Sequence, residues 1–534
     1  MKKLPVGLQN FANIIQDDWL YVDKTEAVHR VLTSGNLFFL SRPRRFGKSL
    51  LVSTFRHLFG GKRELFKDLY IGKHTDYDFE EYPVLQFNFA SLGYKVNDLE
   101  ELLIEQLQQH ADGFGVVVNA SNLSGIFKGL VEKIAEKGKP VVILIDEYDK
   151  PIVDFLKNTE KAKENQAVLR RFFSPLKDLE ARGHLRFLFI TGVSKFSKVS
   201  LFSDLNNLKD LSISEFSHDL LGITHSEMLD NFAPFIEVAA QKYKMSKTEI
   251  LEGIKLWYNG YSYDGKTWLY NPFSILNFFG EYKFRNYWFA TGTPTFLVET
   301  IRDQHIVPQE LEDVKVSDTF FDKFSLEKIE MVGLLFQTGY LTIKEIKQRG
   351  FERSYILNYP NLEVRRAFVH NLLEAFSFQP ASTVGGALIN MQEGLETGKP
   401  QLFVEQLTIL LSDISYHLLP PAKKTNGKLI KPFEVWEGYF HTIIYLATSF
   451  MGLYVQVEIT KHQGRLDLIA ETEDFLYLME FKLDEPAKNA IAQIKARQYA
   501  AAYQNSTKSV YLVGIGFSKE MRNVETWEAE IWNN

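Results

Sequence analysis

Eight residues near the N-terminus have the types and spacing that bind phosphate. Residues 42–49 read Arg-Pro-Arg-Arg-Phe-Gly-Lys-Ser and directly follow an apolar run at residues 38–41. A buried strand that turns through this loop into a helix aims backbone amides at phosphate oxygens. In that arrangement Lys48 reaches the β- and γ-phosphates, and the Ser49 hydroxyl serves Mg²⁺. The pattern therefore predicts a site for ATP and magnesium.

The loop departs from the generic motif at its first two positions. Arg42 stands where the motif has glycine, and Pro43 has no amide hydrogen to donate. The alternative is a turn that merely contains Gly-Lys-Ser. The order of strand, loop and helix favours the phosphate site over that alternative.

A pair of carboxylates ends another apolar run. Residues 141–145 read Val-Val-Ile-Leu-Ile and are followed by Asp146 and Glu147. Asp146 is placed to hold Mg²⁺ through water, and Glu147 to polarise the attacking water as a base. Two acids at the end of a strand are common by chance, but they are unusual downstream of a phosphate loop.

A fourth apolar run, at residues 186–190, ends in Thr191-Gly192-Val193-Ser194. Phosphate-loop ATPases with an added central strand place a polar side chain here that senses the γ-phosphate. Thr191 is the candidate and Ser194 the alternate. Either hydroxyl could instead cap the next turn.

A second set of charged residues lies near the C-terminus. Asp467 follows Gly464, and Glu480 and Lys482 come thirteen and fifteen residues after Asp467. Residues two apart on a strand face the same side, so Glu480 and Lys482 point together while residues 479 and 481 face the core. Carboxylates on rigid strands can hold Mg²⁺, which activates water, and Lys482 would orient that water or neutralise charge. The alternative is a Glu–Lys pair on an exposed strand face.

The elements that position these residues follow from apolar periodicity. Runs at residues 37–40, 84–89, 141–145 and 186–190 alternate with amphipathic helical stretches, which favours a parallel sheet covered on both sides. Residues from about 216 to 320 read mainly as helices, with Asp219, Thr224 and Ser246 as plausible N-caps.

The second half of the chain has a different pattern. A helix, two short strands and a helix around residues 325–375 predict a small winged-helix-like unit. The polar, proline-containing stretch 419–428 predicts a linker. From about residue 430 the order is helix, three strands, helix and strand. These patterns predict four domains, with the boundaries 1–215, 216–320, 321–425 and 426–534.

Bulk composition limits the class of protein. The 534 residues exceed what one hydrophobic core supports, and the net charge of −6 means that any nucleic-acid surface is a local patch. There are no cysteines, so disulfides and thiolate metal sites are excluded, and a cytoplasmic location is expected. No apolar stretch is long enough to span a bilayer, and no signal peptide is predicted. The 12 histidines show no zinc-ligand spacing.

Several motifs together resemble a known family. Tyr21-Val22-Asp23-Lys24-Thr25, the loop at residues 42–49, Asp146-Glu147-Tyr148-Asp149 and the segment beginning at Thr191 are similar to those of bacterial AAA-ATPase-like proteins with a C-terminal PD-(D/E)XK nuclease domain. Trp257-Tyr258-Asn259-Gly260-Tyr261 and Tyr270-Asn271-Pro272-Phe273-Ser274 resemble the helical region of that family. Arg42 in place of glycine also fits it. Asp23 has a second reading as a helix cap, with Glu26 as a capping-box acid.

The resemblance implies particular site residues and an α/β multidomain fold. The fold comprises a P-loop domain of the AAA type, a helical middle region and a restriction-endonuclease-like domain. The implied nucleotide-binding residues are Arg44, Arg45, Phe46, Gly47, Lys48, Ser49, Leu50, Asp146 and Thr191. The implied nuclease core is Asp467, Glu480 and Lys482, with Glu437 as a supporting acid and Glu458 and Gln493 as weaker additions.

Taken together, these features predict an enzyme that hydrolyses ATP to control a metal-dependent nuclease. The expected cofactors are ATP and Mg²⁺, with Mn²⁺ as an alternative at the nuclease site, and DNA is favoured over RNA as the substrate. An oligomer is compatible, and an arginine acting in trans could be Arg44, Arg45, Arg170 or Arg171. The lysines of the linker, Lys423, Lys424, Lys428 and Lys431, either approach a phosphate backbone or are simply solvated.

Two other functions remain open from the sequence. The ATPase part could be a regulatory scaffold whose C-terminal domain binds nucleic acid or protein without cleaving it. The middle region could instead bind a partner in a signalling-type switch. Metal-dependent cleavage, or its absence, separates the first reading from the other two.

Overall fold

The computed structural model describes residues 1–195, 202, 205, 207–289, 295–303, 306, 308–322, 330–413, 424–425, 428–429, 432–452, 456–458 and 466–532. These residues form two compact units. The first comprises Met1–Gly292 and Asp313–Val364, and the second Thr293–Glu312 and Arg365–Asn534. The four domain boundaries predicted from the sequence stay a prediction.

The helices carry the amphipathic patterns noted above. In chain order they are α1 Phe11–Gln16, α2 Thr25–Ser34, α3 Lys48–Phe59, α4 Tyr70–His74, α5 Leu99–Phe114, α6 Leu123–Ala135, α7 Lys150–Val153, α8 Thr159–Phe173, α9 Leu176–Ala181, α10 His225–Tyr243, α11 Lys247–Tyr258, α12 Pro272–Glu281, α13 Thr295–Asp303, α14 Met331–Thr338, α15 Leu362–Ser377, α16 Ala381–Glu396, α17 Pro400–Leu410, α18 Pro432–Met451 and α19 Ala487–Ala496.

The strands include all four runs expected in the N-terminal sheet. In chain order they are β1 Leu37–Ser41, β2 Val84–Asn88, β3 Val141–Asp146, β4 Leu185–Gly192, β5 Lys209–Asp210, β6 Asn259–Tyr261, β7 Leu269–Tyr270, β8 Val314–Ser317, β9 Thr342–Arg349, β10 Glu352–Asn358, β11 Lys424–Thr425, β12 Lys428–Leu429, β13 Gln456–Glu458, β14 Leu468–Glu471, β15 Phe475–Leu483, β16 Ser509–Ser518 and β17 Asn523–Ile531.

The sheet of the first unit is parallel and has the order β2-β3-β4-β1-β5. Strand β4 therefore lies between the strand that leads into the phosphate loop and the strand that ends at Asp146. This is the added central strand that the sequence predicts. Strands β1 and β3 are buried along their whole length, as expected for a sheet covered on both faces. The carboxyl ends of β1, β3 and β4 meet at one edge, where the predicted site residues lie.

Helices α10 to α12 form the next part of the first unit. Thr224 and Ser246 cap α10 and α11 in capping boxes with Glu227 and Glu249, so both predicted N-caps are confirmed. Asp219 is not a cap. No helix begins directly after Asp219, and its carboxylate pairs with Arg30 of α2. A core of aromatic and aliphatic side chains, including Phe232 and Phe278, holds these helices together.

Residues 313–364 complete the first unit. Helix α14 is followed by the antiparallel strands β9 and β10, and α15 begins at their end, in the order that the sequence predicts. Strand β8, which the sequence pattern did not reveal, pairs with β10 to make a three-stranded sheet of order β8-β10-β9.

The second unit contains a mixed five-stranded sheet of order β13-β14-β15-β16-β17. Strands β15 and β16 are parallel, and the other neighbours are antiparallel. The predicted order of helix, three strands, helix and strand corresponds to α18, β13, β14, β15, α19 and β16. Met479 and Phe481 are buried, as predicted from the alternation along β15. Most of the predicted linker at 419–428 lies outside the described residues.

In the part of the chain that the structure describes, no helix combines the length and the apolar character needed to cross a membrane.

Candidate functional sites

The phosphate loop turns sharply because two of its residues have left-handed backbone. Arg45 has φ 64° and Gly47 φ 94°, so the chain reverses and α3 starts at Lys48. Arg44 and Arg45 are exposed, and the Arg45 guanidinium lies 4.9 Å from the ring centre of Phe273. Phe46 is buried edge-on against Tyr261. The loop therefore exposes Arg44 and Arg45 to solvent, while its phenylalanine packs in the protein interior.

Arg42, the residue in place of the motif glycine, is fully buried. Its guanidinium stacks 3.6 Å from the ring centre of Tyr263 and donates to the carbonyls of Ser41 and Ser212, at 3.0 and 2.6 Å. A planar guanidinium combines such stacking with hydrogen bonding at a cost in desolvation. Arg42 thus fastens the start of the loop to the β6–β7 connection and to the segment after β5.

The loop lysine is almost inaccessible to solvent. Lys48 Nζ donates to the carbonyls of Arg42 and Pro43, at 3.0 and 2.9 Å. Burial lowers the pKa of Lys48, and the nearby carboxylates of Glu147 and Asp146 oppose that shift. The ammonium therefore rests on neutral acceptors inside its own loop while it lies in the field of two acids.

Two polar atoms at the carboxyl edge of the sheet are buried without partners. Asp146 Oδ1 and Thr191 Oγ1 have no hydrogen-bond partner among the residues that the structure describes. Burial raises the pKa of Asp146, opposed by a hydrogen bond with Ser49 and by the charge of Lys48. Buried polar atoms are normally satisfied, so unpartnered ones at a strand edge mark a place for a ligand or ion.

Ser194, the alternate to Thr191, already has a partner. Its amide and hydroxyl donate to Asp149 Oδ2, at 2.6 and 2.7 Å. The same carboxylate accepts from the amide of Val193. An added Cβ on Gly192 would lie 2.5 Å from Asp149 Oδ1, so only glycine permits this close approach. Asp149 therefore shapes the turn after β4. The sequence analysis gave it no role, although it is two residues after Glu147.

Glu147 follows β3 with a left-handed φ of 52° and is half-buried. This backbone is uncommon outside glycine, asparagine and aspartate. The next residue, Tyr148, donates its amide to the carbonyl of Thr191 at 3.1 Å. The turn that carries Glu147 is thereby tied to the end of β4.

An apolar pocket lies beside the loop. Phe46, Gly47 and Leu50, three residues of the predicted nucleotide-binding set, form one wall. Further walls come from Tyr21 and Phe232, together with Val22, Lys24, Leu220, Leu221, Ile223, Pro272 and Leu276. Its predominantly apolar lining is typical of a small-molecule site. Sequence analysis missed most of these residues, although Tyr21 and Val22 belong to a motif that it noted.

Asp23 and Lys24 fix the position of the segment that contributes Tyr21 and Val22 to the pocket. Asp23 accepts from the amide and hydroxyl of Thr25 and from the amide of Tyr70, so it joins α2 to α4. Lys24 forms a 2.7 Å ion pair with Glu227. The capping-box reading of Asp23 is wrong, because the N-cap residue of α2 is Lys24 and Glu26 is exposed.

Trp288 fastens the outer part of the loop. Its indole Nε1 donates to the carbonyl of Arg44 at 3.0 Å, and its amide donates to Glu363 at 2.7 Å. The other oxygen of Glu363 accepts from the Ser274 hydroxyl at 2.7 Å. Burial raises the pKa of Glu363 to about 7. A buried carboxyl in the first turn of α15 thus orients the tryptophan that contacts the loop.

In the second unit, the predicted acids and lysine lie together. Asp467 Oδ2 accepts from the amide of Phe481 at 2.8 Å, which places it across from Glu480. Lys482 Nζ lies 3.3 Å from Glu480 Oε1 and 2.8 Å from Gln493 Oε1. Gln493 also donates to Glu480. Gln493 of α19, a weaker addition in the sequence analysis, therefore contacts both central residues.

Glu480 is 4% exposed, and its Oε2 has no hydrogen-bond partner among the described residues. Burial raises the pKa of Glu480 to about 7; Asp467 adds to the shift and Lys482 opposes it. Burial raises the pKa of the Tyr499 phenol, and the nearby carboxylates of Glu480 and Asp467 raise it further. A carboxyl with a spare buried oxygen beside a second acid is suited to a divalent cation.

Two acids named by the resemblance fall where side chains are not described. Glu437 lies in α18 and Glu458 ends β13, but the structure describes only their backbone. Within the described side chains, no three carboxylates or histidines form a metal-binding group. The described part of the site thus consists of two acids, one lysine and one glutamine.

Comparisons with known proteins identify two domain families in this chain. The AAA-ATPase-like family, described as a predicted AAA-ATPase, matches residues 5–202, and the PD-(D/E)XK nuclease superfamily matches residues 435–527. A protein from Azotobacter chroococcum mcd 1, described as "Uncharacterized protein in vnfD 5'region", is 37% identical over 535 residues, covering 98% of each chain. No solved structure matches. This chain is an AAA-ATPase-like protein with a C-terminal PD-(D/E)XK domain.

The residues of the AAA-ATPase-like domain suit a nucleotide and a cation. The unpartnered oxygens of Asp146 and Thr191, with the nearby Ser49 hydroxyl, supply hard ligands, and the loop and pocket supply room for phosphates and a base. The predicted nucleotide-binding residues differ in their exposure. Arg44 and Arg45 are exposed to solvent, whereas the others are buried or half-buried. Of the arginines considered for a role in trans, Arg171 is paired with Glu100.

Proposed function

We propose that the first unit binds and hydrolyses ATP with Mg²⁺. The observation that supports this most directly is the pair of buried, unpartnered oxygens of Asp146 and Thr191. They lie at the edge where the phosphate loop leaves β1, and leaving them unsatisfied costs on the order of 1–3 kcal/mol each. A hydrated cation and a γ-phosphate would satisfy both. Thr191 is favoured over Ser194 as the γ-phosphate contact because Asp149 already binds Ser194.

Lys48 would exchange partners when the nucleotide binds. In the structure it donates to two loop carbonyls, which are neutral. Phosphate oxygens are stronger acceptors because they carry charge, and hydrogen bonds to ionised acceptors are roughly twice as strong. The exchange would compensate the desolvation that lowers the pKa of this ammonium. Bound Mg²⁺ would neutralise charge on the phosphates.

The apolar pocket would hold the base. Tyr21 and Phe232 line it with flat apolar surface, and Leu50 contributes from the first turn of α3. Gly47 lies at its border, next to the residue that begins α3, so a base in the pocket is continuous with phosphates at the helix N-terminus. Glu147, held in its left-handed turn, would polarise the attacking water.

For the second unit we propose a metal-dependent nuclease that cuts phosphodiesters, with DNA favoured over RNA. Asp467 and Glu480 would hold Mg²⁺ or Mn²⁺. Lys482, positioned by Gln493, would orient water or stabilise the developing negative charge. When bound, the metal would activate that water. The ATPase would control this activity within one chain.

The test measures cleavage of single- and double-stranded DNA and RNA with Mg²⁺ or Mn²⁺, with and without ATP. We expect the wild type to cleave at least one of these, and Lys482→Ala to lose on the order of 10²-fold or more of the rate. Lys495→Ala is the matched control, because Lys495 is exposed and pairs with Glu530. No metal-dependent cleavage of any substrate would favour a scaffold whose C-terminal domain binds without cutting.

A further inference from the structure

The hairpin made by β9 and β10 extends beyond the core of the first unit. Near its base, Ile343 and Leu357 are buried. Residues 347–354 are all exposed. Three exposed residues on each strand, at about 3.3 Å each, place the two-residue turn about 10 Å beyond the buried base of the hairpin. The outer half of this hairpin adds nothing to the hydrophobic core, so packing does not explain its residues.

The tip of this projection carries an aromatic ring in solvent. Phe351 has 106% of its reference area exposed, more than any other large apolar side chain of the described residues. It follows Gly350, whose φ of 60° makes the turn. Leaving a whole phenylalanine ring in water forgoes the free energy that its burial would supply, so this ring does not stabilise the fold.

The flanks of the ring are cationic. Among residues 347–354, Lys347, Arg349 and Arg353 are positive and only Glu352 is negative. The whole chain, by contrast, has a net charge of −6. Arg349 lies opposite Glu352 in the ladder, and Lys347 is 3.5 Å from Glu345. Such exposed pairs contribute little to stability, so they can give way to a stronger anion.

We infer that the β9–β10 hairpin is a nucleic-acid contact, which places Phe351 against the bases of a duplex and Arg349, Arg353 and Lys347 on its phosphates. Apolar side chains inserted at a base step, with cations on the adjacent backbone, are a general means of holding a duplex. This rests on the proposed function only in so far as a nuclease domain needs nucleic acid.

The charge distribution favours nucleic acid over a protein partner. An anchor for a protein pocket needs the ring but gains nothing general from three cations around it. A polyanion uses both features, since the cations release counterions from the phosphates and the ring stacks on bases. Binding by the hairpin should therefore weaken as salt rises.

The experiment uses the full chain with a fluorescein-labelled 30-base-pair DNA duplex in EDTA, so that binding is measured without cleavage. Fluorescence anisotropy from 50 to 300 mM KCl gives the affinity and its salt dependence. We expect Phe351→Ala to bind about 10-fold more weakly, and Phe351→Trp to stay within about 2-fold of wild type. The double variant Arg349→Gln, Arg353→Gln should lower the slope of log K against log salt by about 1–2.

Val96→Ala is the matched control, because Val96 is an 87% exposed apolar residue of the same unit. It should bind like the wild type. If the wild type binds the duplex and Phe351→Ala and the double variant bind equally well, the hairpin inference is wrong and the ring is left for a protein partner. If the wild type does not bind the duplex, the inference also fails. Cleavage assays with Mg²⁺ then decide separately whether the proposed nuclease stands.

Discussion

Two lysines, Lys48 and Lys482, lie beside carboxylates in the two candidate sites, but their partners differ. Lys48 is 5% exposed and donates to the neutral carbonyls of Arg42 and Pro43. Lys482 is partly exposed and lies 3.3 Å from the buried carboxyl of Glu480. Among the described residues, Lys48 has no direct anionic partner, so it is suited to an anionic ligand. Lys482 already contacts the carboxyl of Glu480 and the amide of Gln493, so it is held in a defined position before any ligand binds.

The hydrogen bonds around the acids extend this contrast. At the first site, Asp146 Oδ1 has no hydrogen-bond partner among the described residues. Lys48 does not bond to this carboxylate but to the carbonyls of Arg42 and Pro43. At the second, Glu480 shares one oxygen with Lys482 and Gln493 and keeps the other free. We therefore expect loss of Lys48 to weaken ATP binding, and loss of Lys482 to lower the rate of cleavage.

The largest expected effect is on ATP affinity. Lys48→Ala removes the buried ammonium, and we expect ATP to bind at least about 100-fold more weakly because a charge-assisted contact to phosphate is lost. Titration calorimetry with ATP and Mg²⁺ measures it. Lys67→Ala, an exposed lysine, serves as the control. If Lys48→Ala bound ATP as tightly as the wild type, the assignment of residues 42–49 as the phosphate-binding loop would be wrong.

The second effect separates binding from hydrolysis at the same site. Glu147→Gln keeps the shape of the side chain but removes the base, so hydrolysis should slow about 100-fold while the ATP affinity stays within about 3-fold. Phosphate release and calorimetry measure the two quantities. An equal loss in both would instead assign Glu147 to nucleotide binding.

A third prediction concerns the positioning of Lys482. Gln493→Ala removes a 2.8 Å contact to Lys482 and one to Glu480. We expect cleavage to slow about 10-fold, with a higher metal concentration needed for half-maximal rate. Asn489→Ala, on the same helix and bonded to exposed Glu485, is the control. If both variants cleave at the wild-type rate, Lys482 is held without the glutamine.

The smallest functional effect should come from Glu363, which does not touch the loop directly but binds Trp288, a residue that does. Its folded pKa of about 7 lies above its ordinary value of 4.5. The folded state therefore keeps a proton that the unfolded state loses, and stability is lost as pH rises from about 4.5 through 7. The shift corresponds to on the order of 3 kcal/mol. The facing phenols of Tyr258 and Tyr261 stay neutral in this range because burial raises their pKa.

Thermal unfolding between pH 5 and pH 8 tests this. Glu363→Gln should have a smaller fall in Tm over this range than the wild type, with ATP affinity reduced by less than about 3-fold. Glu26→Gln, an exposed acid on α2, should keep the wild-type pH dependence. An identical pH slope in Glu363→Gln would show that the carboxyl is ionised throughout.

Prediction from the sequence succeeded where one local pattern decided the outcome. The four apolar runs became strands β1 to β4, and the caps Thr224 and Ser246 formed, because periodicity and cap chemistry are local. It failed for Asp219, whose carboxylate pairs with the distant Arg30 of α2. It was right in part for Asp23, which accepts from the amide of Thr25 at the start of α2 but forms no capping box with the exposed Glu26. Strand β8 was missed because four residues carry too little pattern.

The candidate sites show the same division. The chain order alone named Lys48, Asp146, Asp467, Glu480 and Lys482, since each lies next to a turn or strand with a recognisable spacing. It named Thr191 with Ser194 as the alternate, and the hydrogen bonds from Ser194 to Asp149 supply a physical reason to favour Thr191. The apolar pocket beside the loop could not be predicted from the sequence, because Tyr21, Phe232 and Leu50 are far apart along the chain.

The sequence by itself determined which chemical groups this protein has and on which elements they lie. Spacing fixes direction along a strand and position at a helix start, so it named the loop, the paired acids and the C-terminal Glu-x-Lys. Only the tertiary structure decided what each group contacts: Arg42 on Tyr263, Trp288 on the loop, Gln493 on Lys482. Those contacts join residues many positions apart, and burial, which sets their strength, exists only once the chain has folded.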